Sequence, residues 1–249
     1  MDWLQRSETM KLRTGETATD YVPPNSESEE KALSRRTFLK IGVGGGLLVA
    51  VGSKWLPFKE AMAQVQSEYV LIIDLNKCTG CGACTEACNQ RNDLPEGKSF
   101  IHRIKKGDEV EGGCWCLPVQ CQHCQDAPCE SVCPASATYH HSSGTVLVYD
   151  KACVGCKYCA VACPYEARVY DENTGVVNKC WLCLDLVLGG GNPACVDACI
   201  PGARIFGRRD DPEIAKLLAS GRVKPLHPEF GTNPGVVYYI FREDGKQGA

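Results

Sequence analysis

Cys153-Val154-Gly155-Cys156-Lys157-Tyr158-Cys159-Ala160-Val161-Ala162-Cys163-Pro164 is the stretch on which the reading of this chain turns. Three cysteines are separated by two-residue gaps, a fourth follows after three more residues, and a proline closes the run. Such gaps let a short loop curl around one corner of a compact group with its backbone N–H groups facing inward. Cys159 and Cys163 stand four apart, so on a helical turn they share a face, with Cβ atoms about 5–6 Å from one another. One of them can then serve each of two neighbouring groups. Pro164 has no N–H and favours an extended residue before it, which ends the turn. Working outward, three related groups appear: Cys78-x2-Cys81-x2-Cys84-x3-Cys88, Cys121-x2-Cys124-x4-Cys129-x3-Cys133-Pro134, and Cys180-x2-Cys183-x11-Cys195-x3-Cys199.

Sixteen of the 18 cysteines fall in these groups. Four thiolates per cubane make that the complement of four [4Fe–4S] clusters, which implies conduction of electrons rather than substrate chemistry. Zinc ribbons also use Cys-x2-Cys pairs, but a third cysteine two residues further on has no use there, and here that triplet occurs twice. Disulfides suit an exported chain with an even cysteine count, yet cysteines three apart make poor partners. No single cysteine stands apart as a nucleophile. An internal repeat supports the cluster reading. An alanine recurs at the fourth position after the last cysteine of three groups, at Ala137, Ala167 and Ala203. Strand-like runs follow at Ala167–Tyr170 and Ala203–Phe206, and others precede groups at Tyr69–Leu75 and Thr145–Tyr149. The repeating unit is strand, cysteine loop, short helix, strand, and a repeated unit implies one architecture copied.

The first quarter differs in kind. Residues 1–33 are polar, with Glu27-Ser28-Glu29-Glu30, and match a disordered composition. Ser34-Arg35-Arg36-Thr37-Phe38-Leu39-Lys40 then runs into the short Gly-rich apolar stretch Ile41–Gly52, and Ala61-Met62-Ala63 offers a small-x-small cleavage pattern. A twin arginine before a weak apolar segment reads as a signal for the twin-arginine (Tat) translocase. That route carries folded proteins with cofactors already inserted, so it suits the cysteine groups. The apolar stretch is short of the roughly 20 residues that span a bilayer, which favours cleavage near Ala63 over a retained anchor. Beyond residue 63 the chain carries 18 basic and 22 acidic residues, so no basic field for nucleic acid exists. Gly and Pro are frequent there, and cofactors rather than a large aliphatic core are expected to hold the fold. An iron-free chain is accordingly expected to be largely unfolded.

The pattern resembles a known family, the iron–sulfur electron-transfer subunits of molybdopterin oxidoreductases of the dimethyl sulfoxide reductase type. The residues that carry it lie between Tyr69 and Phe206: Asp74-Leu75-Asn76-Lys77-Cys78-Thr79-Gly80-Cys81, Cys121-Gln122-His123-Cys124, Ala127-Pro128-Cys129, Val154-Gly155-Cys156-Lys157-Tyr158-Cys159, Cys163-Pro164-Tyr165-Glu166-Ala167-Arg168, Asn178-Lys179-Cys180 and Pro193-Ala194-Cys195. Within the family the likeness is greatest to polysulfide, thiosulfate and tetrathionate reductase subunits. The third group matches the bacterial ferredoxin run, in which the last cysteine serves the other cluster. The resemblance implies an α+β fold of two nested bacterial-ferredoxin-like modules, loop-rich and cluster-stabilised, with residues 121–163 inserted in a 78–199 module inside a domain spanning 64–207. It implies nested ligation: Cys78, Cys81 and Cys84 with Cys199; Cys88 with Cys180, Cys183 and Cys195; Cys121, Cys124 and Cys129 with Cys163; Cys133 with Cys153, Cys156 and Cys159. No third-group cysteine is missing, so four [4Fe–4S] centres are expected and no [3Fe–4S] centre. The implied partners are a molybdopterin catalytic subunit and a quinone-reactive membrane subunit, with the chain periplasmic and peripheral on the membrane. A relay in a nickel–iron hydrogenase or formate dehydrogenase complex is the alternative. Residues 208–249 read as a tail, either an arm that docks a partner or a strap over the domain, and the resemblance favours the arm.

Several residues stand outside this scheme. Cys114-Trp115-Cys116 reads as packing beside a cluster or at a subunit contact. His123 sits within the second loop, to tune a cluster by hydrogen bonding or to face solvent; nothing marks His140 or His141 as ligands. Arg168 and Arg204 hold matching repeat positions and read equally as charge-offsetting groups and as surface strand residues. Asp211-Pro212 reads as the start of a helix that Gly221 stops.

Overall fold

Tyr69–Asp74 forms strand β1, and all six residues of it are buried. A computed structural model describes residues 67–106 and 115–242; the expected export signal, Cys114 and the last residues of the tail lie outside the described residues. After β1 the chain forms α1 (Ala83–Asn92), the ribbon β2 (His102–Lys106) and β3 (Trp115–Val119), and the single turn α2 (Pro128–Ser131). A second ribbon, β4 (Thr138–His140) and β5 (Val146–Val148), leads to α3 (Tyr158–Ala162), and a third pairs β6 (Arg168–Tyr170) with β7 (Val177–Lys179). Short helices α4 (Leu184–Leu188) and α5 (Ala194–Asp197) precede β8 (Arg204–Arg208), α6 (Pro212–Ala219), β9 (Val223–Lys224) and β10 (Val237–Ile240).

An unbroken apolar strand has to be covered on both faces, and β1 is. It lies in a four-stranded sheet of order β8-β1-β10-β9. β8 is antiparallel to it and β10 parallel, with Leu71 opposite Phe206 on one side and Val237 on the other. Tyr69, Leu71, Ile73 and Leu75 enter the main core with Val237, Tyr239 and several cysteines. Val70 and Ile72 enter a separate cluster with Ile214, Ile240 and the partly buried Leu217 and Leu218. Helix α6 supplies that cover. It begins as its sequence dictates: the Asp211 side chain accepts from the Glu213 N–H at 2.9 Å, and Pro212 occupies the first turn.

The tail departs from expectation. Instead of an arm outside a 64–207 domain, Val236–Ile240 is built into the sheet, with Val236, Val237 and Tyr239 fully buried. The physical cause is the hydrogen-bonding edge of β1, which only β10 satisfies on that side. The segment before β10 also ties down the second cysteine loop: the Gln125 N–H donates to Asn233 O at 2.8 Å, and the Gly235 N–H to His123 O at 3.1 Å.

Candidate iron–sulfur sites

The cysteine loops share one backbone device. The residue two after the first cysteine is left-handed in all four: Gly80 (φ 70°), His123 (φ 48°), Gly155 (φ 67°) and Leu182 (φ 64°). This conformation turns successive N–H groups to one side, forming a concave anion-binding nest. At two positions only glycine fits. A Cβ on Gly80 would lie 2.8 Å from Cys116 Cβ, and one on Gly155 would lie 2.3 Å from Gly175 O at the β6–β7 turn. Each of these two loops is thus backed by a ribbon. The repeating alanines are explained too. The Ala137 N–H donates to Cys133 Sγ at 3.2 Å, and the Ala167 N–H does the same for Cys163. Ala137, Ala167 and Ala203 are each only 1% exposed, which leaves no room for a larger side chain.

The folding of the loops brings the cysteines together across the sequence. Cys78, Cys81, Cys84 and Cys199 line one cavity. Cys88, Cys180, Cys183 and Cys195 line a second. Cys124 lies within electrostatic reach of Cys121, Cys129 and Cys163. Cys159 lies within reach of Cys129, Cys153 and Cys133, and Cys156 is exposed on the same loop. Neighbouring sets lie within electrostatic reach of one another: Cys84 acts on Cys195, Cys121 on Cys180, and Cys129 on Cys159. The four sets therefore form a row. Among the described residues no group of three or more His, Cys, Asp or Glu could hold a single metal ion.

Burial pushes the Cys88 and Cys124 thiols up to about 12, and neighbouring cysteines add to the effect. Cys180, Cys163 and Cys195 are also raised, with burial the first cause. Crowded buried thiolates need strong positive charge at the centre of the set, which a polynuclear iron group supplies by deprotonating its ligands. Protein cations are stationed nearby. Arg168 and Arg204 are buried, and nitrogens of both guanidinium groups find no hydrogen-bond partner among the described residues. Arg204 Nη1 donates to Cys195 Sγ at 3.4 Å and to Gln120 Oε1 at 2.8 Å. Lys179 Nζ donates to Val146 O and to Cys180 O, the latter at 2.8 Å. These orphaned donors, inward N–H groups and sulfur-lined spaces fit [4Fe–4S] clusters.

Two family models match the chain, described as a 4Fe-4S dicluster domain over residues 114–209 and a 4Fe-4S binding domain over residues 69–90. A tetrathionate reductase subunit of Salmonella typhimurium is 38% identical over 218 residues, covering 82% of this chain and 87% of that protein. The protein belongs to the iron–sulfur subunits of dimethyl sulfoxide reductase-type oxidoreductases. The thiosulfate reductase electron transfer subunit PhsB of Salmonella typhi is 40% identical over 65% of this chain and 87% of its own length. A subunit of the anaerobic dimethyl sulfoxide reductase of Escherichia coli is 37% identical over 69% and 88%. As a member of this family the protein binds [4Fe–4S] clusters and is an electron-transfer subunit of a reductase complex.

For the residues left open by the sequence, this iron–sulfur protein gives definite places. Arg168 and Arg204 are interior groups, not surface ones. His123 is fully buried, so it does not face solvent; burial holds its imidazole far below the usual range, and Nδ1 accepts from the Val146 N–H at 3.2 Å. Cys116 lines the first cavity beside four other cysteines. His140 is clasped between Glu130 Oε2 at 2.5 Å and Cys124 O at 2.9 Å. Gln120, Gln122 and Arg91 join the site although the sequence alone assigns them no role there. Arg91 bonds both oxygens of Asp185, at 2.8 and 2.6 Å, beside Cys183. No spacing singles out these three; only the distance of each from a cysteine group in space identifies them.

Proposed function

We propose that this chain relays single electrons through four [4Fe–4S] clusters between a molybdopterin catalytic subunit and a quinone-reactive membrane subunit, with no catalysis of its own. The row of four cysteine sets carries this reading. Each set would ligate one cluster: Cys78, Cys81, Cys84 and Cys199; Cys88, Cys180, Cys183 and Cys195; Cys121, Cys124, Cys129 and Cys163; Cys133, Cys153, Cys156 and Cys159. A bound cluster supplies reversible one-electron chemistry at a potential set by charge, hydrogen bonds to sulfur and exposure. The protein's part is to ligate, to aim N–H donors at sulfur and to exclude water from the middle of the row.

Exposure along the row supports two docking ends. Cys88, Cys121, Cys124, Cys129, Cys183 and Cys195 are buried, whereas Cys81 and Cys156 are exposed. Beside these lie exposed apolar side chains: Ile200 (91%) follows Cys199, while Tyr158 (62%) and Val161 (87%) flank Cys159. Resemblance to the family assigns the Cys199 end to the catalytic subunit and the Cys156 end to the membrane subunit. Among the described residues no helix is long and apolar enough to cross a membrane, so attachment through a partner fits. The twin arginine at Arg35 and Arg36 supports a periplasmic protein, exported by Tat and cleaved near Ala63.

The test is elemental analysis of the complex isolated anaerobically through this subunit. About 16 iron atoms per chain, with stoichiometric molybdenum or tungsten and no [3Fe–4S] signal by EPR, is the expected result. Iron with nickel would transfer the relay to a hydrogenase, and zinc with little iron would overturn it.

A further inference from the structure

The first two cysteine sets share a wall, and Arg204 stands in it. The side chain lines the cavity of Cys78, Cys81, Cys84 and Cys199. From there Nη1 reaches Cys195 of the second set at 3.4 Å, and Gln120 Oε1 braces it at 2.8 Å. Gln120 is itself fully buried, lines the second cavity, and leaves its Nε2 without a partner among the described residues. Arg204 Nη2 is likewise unpartnered among them. The other ferredoxin-like half repeats the arrangement. Arg168 follows Cys163 at the same interval as Arg204 follows Cys199. It is 8% exposed, neither Nη finds a hydrogen-bond partner among the described residues, and it lies within electrostatic reach of Cys129 and Cys121 of the third set and Cys159 of the fourth. The third strand that follows a cysteine group, β4, carries neutral Thr138 at that place. Each half therefore holds one buried guanidinium between its two cysteine sets.

We propose that Arg204 and Arg168 are inter-cluster cations, each raising the reduction potentials of the two clusters on either side of it and leaving the other pair unaffected. This rests on the four-cluster reading above. The physical basis is charge. Reduction adds one electron to a cluster that four thiolates already make anionic, and a fixed cation nearby favours that reduced state, most strongly where water is excluded. Arginine is suited to the place because it does not lose its proton. A cation seated between two clusters acts on both, so the potentials are set in pairs, and the pairs can be tuned independently by one residue each.

The experiment is a potentiometric EPR titration of the anaerobically isolated complex with wild-type chain, Arg204→Met, Arg204→Lys and Arg168→Met, with iron counted in each. For Arg204→Met two of the four midpoints are expected to fall by at least tenfold in reduction equilibrium, about 59 mV for a one-electron couple, while two stay in place. Arg168→Met is expected to move the complementary two. Arg204→Lys, which keeps the charge but not the fork, is expected to move the same pair as Arg204→Met by less. Four unmoved midpoints, or four that fall together, would overturn the proposal. Should Arg204→Met lose iron, Arg204→Gln decides, since it removes the charge and keeps a polar group: a fall confined to one pair supports the proposal and no fall overturns it. A wild-type iron count short of four cubanes would instead defeat the four-cluster reading, independently of any shift.

Discussion

Two regions of the molecule, an outer half and an inserted half, are held together by different means. The outer half owns the sheet β8-β1-β10-β9, in which β1 is buried on both faces and whose back is covered by α6. The inserted half, taken as residues 121–163 with the ribbon that follows them, owns two ribbons with strands of three residues, β4–β5 and β6–β7. Much of what is buried there is cysteine: Cys121, Cys124, Cys129 and Cys159 sit in the main core beside Val146, Ala167 and Val177. Isolated two-stranded ribbons are marginal in water at best, and thiols crowded in a core lose their purpose without metal. One half is thus a conventional hydrophobic sheet, and the other buries cysteines where aliphatic side chains would ordinarily sit.

Removing the clusters is the strongest way to break this comparison. In the iron-free chain, hydrogen–deuterium exchange is expected to be fast throughout residues 121–179, while amides of β1, β8 and β10 keep protection. Equal protection in β4–β7 would erase the distinction. A fold held by clusters alone would unfold throughout without iron, and the two-sided burial of β1 narrows that expectation to the inserted half. Next in size is Leu71→Ala. Leu71 is fully buried on the cluster-facing side of β1, so the holo chain is expected to lose about 2–5 kcal/mol in denaturant unfolding.

Asp150 sharpens the contrast from the other side. Burial raises its carboxyl to about 6, so this charge is a liability in the inserted half. A raised folded-state value means its contribution is fully favourable below about pH 4 and is lost as pH rises through about 6. Asp150→Asn is therefore expected to raise the thermal midpoint of the holo chain at pH 7 and to flatten its fall between about pH 4 and 6; an unchanged profile would show the carboxyl is not buried in solution. The smallest effect belongs to Asp211→Ala, which removes the cap of α6. About 1 kcal/mol should be lost, with EPR signals of the clusters unaltered.

Local features were legible from the sequence, and non-local ones were not. The loops, the alanines after them and the start of α6 follow from spacing and from turn chemistry that acts within a few residues. Strand β1 was legible because Val70-Leu71-Ile72-Ile73 is unbroken. Its neighbours were not. Val236–Phe241 has the same apolar character, but nothing in it says that it pairs parallel with a strand from the start of the domain, so the tail reads as an arm. Arg168 and Arg204 carry a repeat without a direction: a period places both on equivalent strands, and only packing tells inside from outside. The two glutamines of Gln120–Gln122 are polar residues in a polar-looking loop, and their complete burial depends on Tyr239 and Arg204, far away in the chain.

The position of β10 has a bearing on the order in which the protein can be made. β1 emerges early from the ribosome, but its parallel partner arrives only once synthesis has passed Ile240. Cys195 and Cys199, which close the first two cavities, arrive late as well. The ribbons β4–β5 and β6–β7 can form while the chain is still tethered, but the second cysteine loop is tied down only when Asn233 and Gly235 are out. The outer half has to wait, so the strand that heads the domain in sequence is the last to receive its full set of hydrogen bonds.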